Sequence, residues 1–133
     1  MLDNGGMAQL RDIVIDCSHP ASLARFWAAA LDGYAVAPYD SEEIERLRSL
    51  GITDLEDDPT VIVEGPGPRL FLQRVPEAKR DKNRVHLDLT AVRAEDEVHR
   101  LVAIGAKLVE RFESHLLLAD PQGNEFCLML PRG

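Results

Sequence analysis

The carboxylates Asp12, Asp16, Asp88 and Glu125 sit in the short alternating runs DIVID, HLDL and EFCLM, among aliphatic residues. Alternation sends residues i and i+2 to one face of a strand, so Asp12 with Asp16, and His86 with Asp88, share a face. Carboxylates crowded this way can carry raised pKa values and serve as general bases. Alternatively Arg69, Arg74 or Arg84 pairs with them and the cluster is structural. His86 is the strongest single candidate for chemistry, as a ligand or a proton carrier; its plainer role is a polar residue hydrogen-bonded to Asp88 or Asp16. Cys17 and Cys127 lie far apart without metal-type spacing, and Cys127 reads as a small core residue before it reads as a nucleophile. His19 beside Pro20 belongs to a helix start, His99 to the polar side of a helix and His115 to an exposed strand. There is no phosphate-binding glycine loop, no Ser-His-Asp motif and no HExxH.

These side chains need strands to position them, and the chain supplies them twice. Residues 10–17 alternate as a strand, and His19-Pro20 opens a helix whose Leu23, Phe26, Trp27, Ala30 and Leu31 form one apolar stripe before Gly33 stops it. A short strand over 34–38 follows, then an acidic helix over 41–50, a β-branched strand over 60–64, the turn Gly65-Pro66-Gly67-Pro68 and a strand over 69–75. Residues 76–82 are polar and without period, a connector. The second half runs strand 84–89, helix 94–104 stopped by Gly105, strands 107–112 and 115–119, the turn Asp120 to Asn124, and strand 125–130. Each half reads strand, helix, strand, strand, strand, a repeat of pattern rather than of residues.

The 133 residues fit one domain, 10–130, after a loose leader over 1–9; two domains would each be marginal. No apolar run approaches the ~20 residues that a membrane span needs, and the opening lacks signal-peptide character. A net charge of −8, with basic residues clustered only at Lys79, Arg80, Lys82 and Arg84, argues against nucleic acid as a partner. Reduced thiols suit a cytoplasmic protein.

Four segments carry a resemblance: RDIVIDCSHPASLARFW, PRLFLQRVP, NRVHLDL and DPQGNEFCLM. Together they resemble the glyoxalase-like branch of the vicinal oxygen chelate superfamily, which includes glyoxalase I, bleomycin-resistance proteins and extradiol dioxygenases. The resemblance implies an α+β fold of two βαβββ modules, 10–75 and 84–130, forming an incomplete barrel around a central cleft, and a homodimer. With alternation, it places Asp12, Val14, Asp16, Phe71, Gln73, His86, Asp88, Glu125, Cys127 and Met129 on the cleft, with Ile13, Ile15, Cys17, Val85, Leu87 and Leu89 under the helices.

In metal-using relatives four inward positions supply ligands, and the resemblance carries these to Asp12, Gln73, His86 and Cys127. The family's His and Glu ligands are therefore largely replaced, Gln is a weak ligand, and a thiol among carboxylates must lose its proton before it binds. No tightly bound catalytic metal is expected, although the resemblance leaves room for Zn, Ni, Fe or Mn, with Glu125 as a substitute carboxylate. His86 and Glu125 are the candidate catalytic residues. The leading functional reading is binding of a small organic molecule in the cleft. The alternatives are a metal-assisted lyase, isomerase or dioxygenase of the glyoxalase I type, and a non-catalytic regulatory or structural module.

Overall fold

The computed structural model describes residues 6–131. Two modules follow one another, each a strand, a helix and three further strands. The first comprises β1 (Asp12–Cys17), α1 (Pro20–Ala30), β2 (Ala35–Val36), β3 (Thr60–Glu64) and β4 (Arg69–Arg74), with α2 (Ser41–Ser49) and a short 3-10 turn (Leu55–Asp57) inserted between β2 and β3. The second comprises β5 (Leu87–Thr90), α3 (Ala94–Ala103), β6 (Lys107–Arg111), β7 (His115–Ala119) and β8 (Glu125–Met129). Each module forms its own four-stranded sheet, ordered β1-β4-β3-β2 and β5-β8-β7-β6. In both, the first strand runs parallel to the last and the other pairings are antiparallel. The parallel pairing requires a crossover, and α1 and α3 supply it. The expected α+β architecture of two βαβββ modules, open rather than closed into a barrel, is the one observed.

Local signals explain the helices. Pro20 occupies the first turn of α1, where its missing N–H costs nothing, and the His19 ring accepts from the Ser22 backbone N–H. Gly33 and Gly105 follow α1 and α3 with φ of +77° and +124°, values that strain any side-chain-bearing residue. The apolar stripe of α1 buries Leu23, Phe26, Trp27 and Ala30, and burial of each large side chain contributes about 1.5–3 kcal/mol. Trp27 and Phe26 both meet Phe126 of β8, with ring centroids 5.1 and 6.2 Å apart, so one core joins the modules. Arg100 of α3 adds a second tie by donating to the carbonyls of Ala29 and Ala30, which end α1.

Several boundaries differ from the sequence expectation. β1 begins at Asp12, and residues 6–9 are exposed turn and coil; residues 1–5 of the expected leader lie outside the described residues. The strand expected over 84–89 forms only over Leu87–Thr90, and Val85 is 73% exposed rather than packed under a helix. Asn83 accounts for this: its amide donates to the Val85 carbonyl and its side-chain oxygen accepts from the Glu125 N–H. The chain is pinned there as a bend, so the ladder starts three residues later than alternation suggests.

Candidate functional site

Between the modules lies a cavity of about 680 Å³. Val14 and Asp16 line it from β1, Lys79 from the connector, and Asn83, Arg84, His86 and Leu87 from the start of the second half. The turn before β8 closes it with Pro121, Gln122 and Asn124. An adjoining hollow of about 300 Å³ shares Asn83, His86 and Glu125 and adds Asp88, Cys127, Met129, Phe112, His115 and Leu117. Seven of the ten residues assigned to the cleft, Val14, Asp16, His86, Asp88, Glu125, Cys127 and Met129, therefore line two adjoining spaces. Phe71 instead lines a separate hollow with Tyr39, Glu43 and Arg46 from the insert. That hollow lies between the first sheet and the insert.

The four inherited metal positions do not converge as a set. In the β1–β4 register Asp12 lies opposite Arg69, whereas Gln73 lies opposite Asp16. Four residues of offset separate Asp12 from Gln73 by about 13 Å along the strands. Both also have other partners. Arg69 and Arg11 hold the two Asp12 carboxylate oxygens at 2.8 and 2.9 Å, and the Gln73 amide donates to Asp16 at 2.7 Å. The hydrogen bond from Arg69, the dominant influence, keeps the Asp12 carboxyl below the usual carboxylate range. The first module's metal positions are thus consumed internally, and the inherited quartet does not fit a metal.

The second module differs. Asp88 lies directly opposite Cys127 across β5–β8, and His86, two residues earlier, reaches the same spot. One ligating atom from each of His86, Asp88 and Cys127 lies within 4.8 Å of the others, and His86 Nε2 is 3.1 Å from Asp88 Oδ1. Burial first, then the nearby Asp88 and Glu125, pushes the Cys127 thiol up, so it is no ready nucleophile. Burial likewise raises the Cys17 thiol to about 11; its Sγ lies 3.6 Å from the Gln73 carbonyl oxygen. Glu125, the second catalytic candidate, accepts from the Asn83 N–H at 3.3 Å and lies 3.7 Å from Lys82.

The turn Asp120 to Asn124 does much of the positioning. Asp120 is 2% exposed, and its carboxylate accepts from the Gln122 and Asn124 backbone N–H groups, the Asn124 side chain and Trp27 Nε1. Gln122 in turn accepts from the Ser18 and His19 N–H groups and donates to the His19 carbonyl. The turn is legible as a turn; its reach back to the first module has no local signal.

Residues 12–129 match the model of the glyoxalase-like domain. The chain belongs to the glyoxalase-like domain family. That family falls in the vicinal oxygen chelate superfamily, in agreement with the paired modules. Among solved structures, this glyoxalase-like protein is similar to the fosfomycin resistance protein FosX from Mesorhizobium loti, with a TM-score of 0.65 at 11% identity over 95% of this chain and 94% of that one. It is also similar to the trypanothione-dependent glyoxalase I of Leishmania major, with a TM-score of 0.64 at 18% identity over 92% and 86%. A third likeness is to a glyoxalase/bleomycin resistance protein/dioxygenase family enzyme from Burkholderia phytofirmans PsJN, with a TM-score of 0.64 at 12% identity over 91% and 97%. No curated protein sequence matches. At these identities the likenesses establish the fold. No helix among the described residues is long and apolar enough to cross a membrane.

Proposed function

We propose that this glyoxalase-like protein binds a small polar organic molecule in the cavity between its modules, as a cytoplasmic homodimer. The observation that carries this reading is the cavity itself: its 680 Å³ fall within the size of small-molecule sites, and polar groups from both modules converge on it. Asp16, Glu77 and Glu125 line it together with Lys79 and Arg84, which suits a ligand bearing both donors and acceptors. Trp27 is the one Phe, Tyr or Trp side chain on its wall and is almost fully buried, so a flat aromatic ligand would find little to stack on. An open space of this size weighs against a structural module filled by its own side chains.

Two buried free thiols favour a reducing compartment. β6, an edge strand exposed along its length and carrying Leu108 and Val109, favours pairing with a second copy, which size-exclusion chromatography with light scattering would read as twice the monomer mass. A metal-assisted lyase or isomerase is the second reading, supported by the His86–Asp88–Cys127 cluster and by the fold shared with glyoxalase I.

Trp27 is the protein's single tryptophan and touches the cavity, so its fluorescence can screen a panel of polar metabolites directly. Ligands of this site should shift the emission saturably, bind at least about tenfold more weakly to His86→Ala and be excluded by Ala78→Trp. Ligands that bind both variants as well as they bind the parent protein would refute the assignment of the cavity.

A further inference from the structure

We infer that the hollow between the first sheet and the insert is a second small-molecule site, built to take an organic cation such as a protonated alkylamine. It encloses about 430 Å³, within the range of small-molecule sites, and shares no lining residue with the inter-module cavity. Ala37, Pro38, Val61, Ile62 and Phe71 give it an apolar wall. Asp40, Glu43 and Asp58 bring three carboxylates against the one guanidinium of Arg46, so the charged part of the lining is net negative.

A buried charge sets the character of the site. Tyr39 and Asp58 stand at the two ends of the insert, and Asp58 is 1% exposed with no ion-pair partner among the described residues. Its carboxylate accepts only from neutral donors, the Tyr39 hydroxyl at 2.7 Å and the Thr60 N–H at 2.9 Å. A carboxylate kept from water without a contacting cation is costly, and a positive charge brought into the hollow offsets part of that cost. Tyr39 links the two, since it lines the hollow and donates to Asp58. With its O–H committed, the Tyr39 oxygen can only accept from a ligand, and the charge behind it strengthens that acceptor. Burial, then the bond to Asp58, pushes the Tyr39 hydroxyl well above its usual range, so the proton and the acceptor stay in place.

Glu43 adds a second acceptor. Both contacts of the Arg46 guanidinium fall on Glu43 Oε1, which leaves Oε2 without a hydrogen bond among the described residues. Arg46 would be the natural holder of an anion, but Glu43 already occupies it. The N-terminal end of α2 is closed in the same way by the Asp40 carboxylate, which accepts from the Glu43 N–H at 2.8 Å. A ligand entering here meets spare acceptors and no spare cation, beside hydrocarbon and the Phe71 ring, to which a cation is also attracted. The inference does not rest on the reading of the inter-module cavity; either can stand while the other fails.

The test uses three probes of one shape, cyclohexylammonium, cyclohexanol and cyclohexanecarboxylate. Each is titrated into full-length, isotope-labelled protein at neutral pH, and the backbone amide signals are followed by nuclear magnetic resonance. Cyclohexylammonium should shift the Tyr39, Thr60, Ile62 and Phe71 amides saturably and leave His86 and Gln122 of the other cavity in place. The neutral and anionic probes should bind at least about tenfold more weakly. Tyr39→Phe should weaken the cation at least about tenfold, and Glu43→Gln, at a partly exposed side chain whose loss the fold tolerates, at least about threefold. Arg46→Met should bind it no more weakly than the parent protein does. Absence of saturable shifts at this hollow would show that Tyr39 and Asp58 only clasp the insert. Equal affinity for cyclohexanol would show an apolar hollow without charge preference, and preference for the carboxylate an anion site on Arg46. Each of these results overturns the inference, as does loss of binding in Arg46→Met or undiminished binding in both Tyr39→Phe and Glu43→Gln.

Discussion

Replacing Asp120 by alanine removes one small side chain from a turn, yet it should be among the most damaging single changes in the protein. Its carboxylate accepts four hydrogen bonds, from the backbone N–H groups of Gln122 and Asn124, from Asn124 Nδ2 and from Trp27 Nε1, at 2.9–3.1 Å. A hydrogen bond to a charged group contributes about 1.5–3 kcal/mol, and a buried donor left without an acceptor costs about 1–3 kcal/mol. These four bonds act as a unit and do not add; water entering the emptied turn would satisfy some donors but not Trp27 Nε1, which lies in the core. The expected loss is about 3–5 kcal/mol, a fall in Tm of roughly 12–20 °C for a domain of this size. Trp27→Phe, which keeps the ring contacts with Phe126 and loses one bond, should cost about 1–2 kcal/mol. Urea unfolding followed by far-ultraviolet circular dichroism measures both variants, and the double mutant should show a coupling of about 1–2 kcal/mol. A loss below about 1 kcal/mol for Asp120→Ala, or additive single effects, would refute the view that this turn ties the modules together.

Further outcomes follow from single contacts. Tyr39 donates to Asp58, which is 1% exposed, at 2.7 Å; Tyr39→Phe leaves that carboxylate the Thr60 N–H at 2.9 Å and should cost about 1–2 kcal/mol in urea unfolding. Cys17 has a folded-state thiol raised to about 11 from 9.0, so the unfolded chain ionises first; stability present below pH 9 should decline as pH rises toward 11, and Cys17→Ala should flatten that decline. The lowered Asp12 carboxyl has the opposite sign: its pairing with Arg69 is present above 3.8 and is lost as pH falls below it, so Asp12→Asn should flatten the acid limb of an unfolding profile. Arg100→Met should free the last turn of α1, seen as faster amide exchange there with the remainder of the core unchanged.

The fold was legible because its signals are local and repeated. Pro20 at a helix start, Gly33 and Gly105 at helix ends and the alternating strands each act within a few residues, and two copies of one order leave few topologies open. The site was less legible, because it depends on register between strands far apart in sequence. Alternation correctly grouped His86 with Asp88 and Asp12 with Asp16, but it is silent on which residue of β4 lies across from which residue of β1. A partner taken four residues off, Gln73 for Asp12, lands about 13 Å away on the correct face of the sheet. Asn83 shows the same limit at short range. A polar residue just before a strand gives no sequence sign that it will bind Glu125 and delay the start of β5.

Register also explains why the modules have diverged in what they can do. In the first, each polar group assigned to the cleft face has found a partner on its own sheet: Arg69 holds Asp12, and Gln73 donates to Asp16. Phe71 lines a hollow shared with the insert instead. Those pairings give the sheet a satisfied polar face. In the second module His86 and Asp88 pair only with each other among the described residues, and the Cys127 sulfur has no hydrogen bond there. A pair that is half exposed contributes little to folding, so substitutions at these positions should change binding far more than stability. In the first module Asp12→Asn, at a side chain only 9% exposed between Arg69 and Arg11, should do the reverse. Scanning Asp12, Gln73, His86 and Asp88 by one unfolding assay and one binding assay separates the two modules on that axis, and an equal response from both would show that the asymmetry read from their hydrogen bonds has no functional weight.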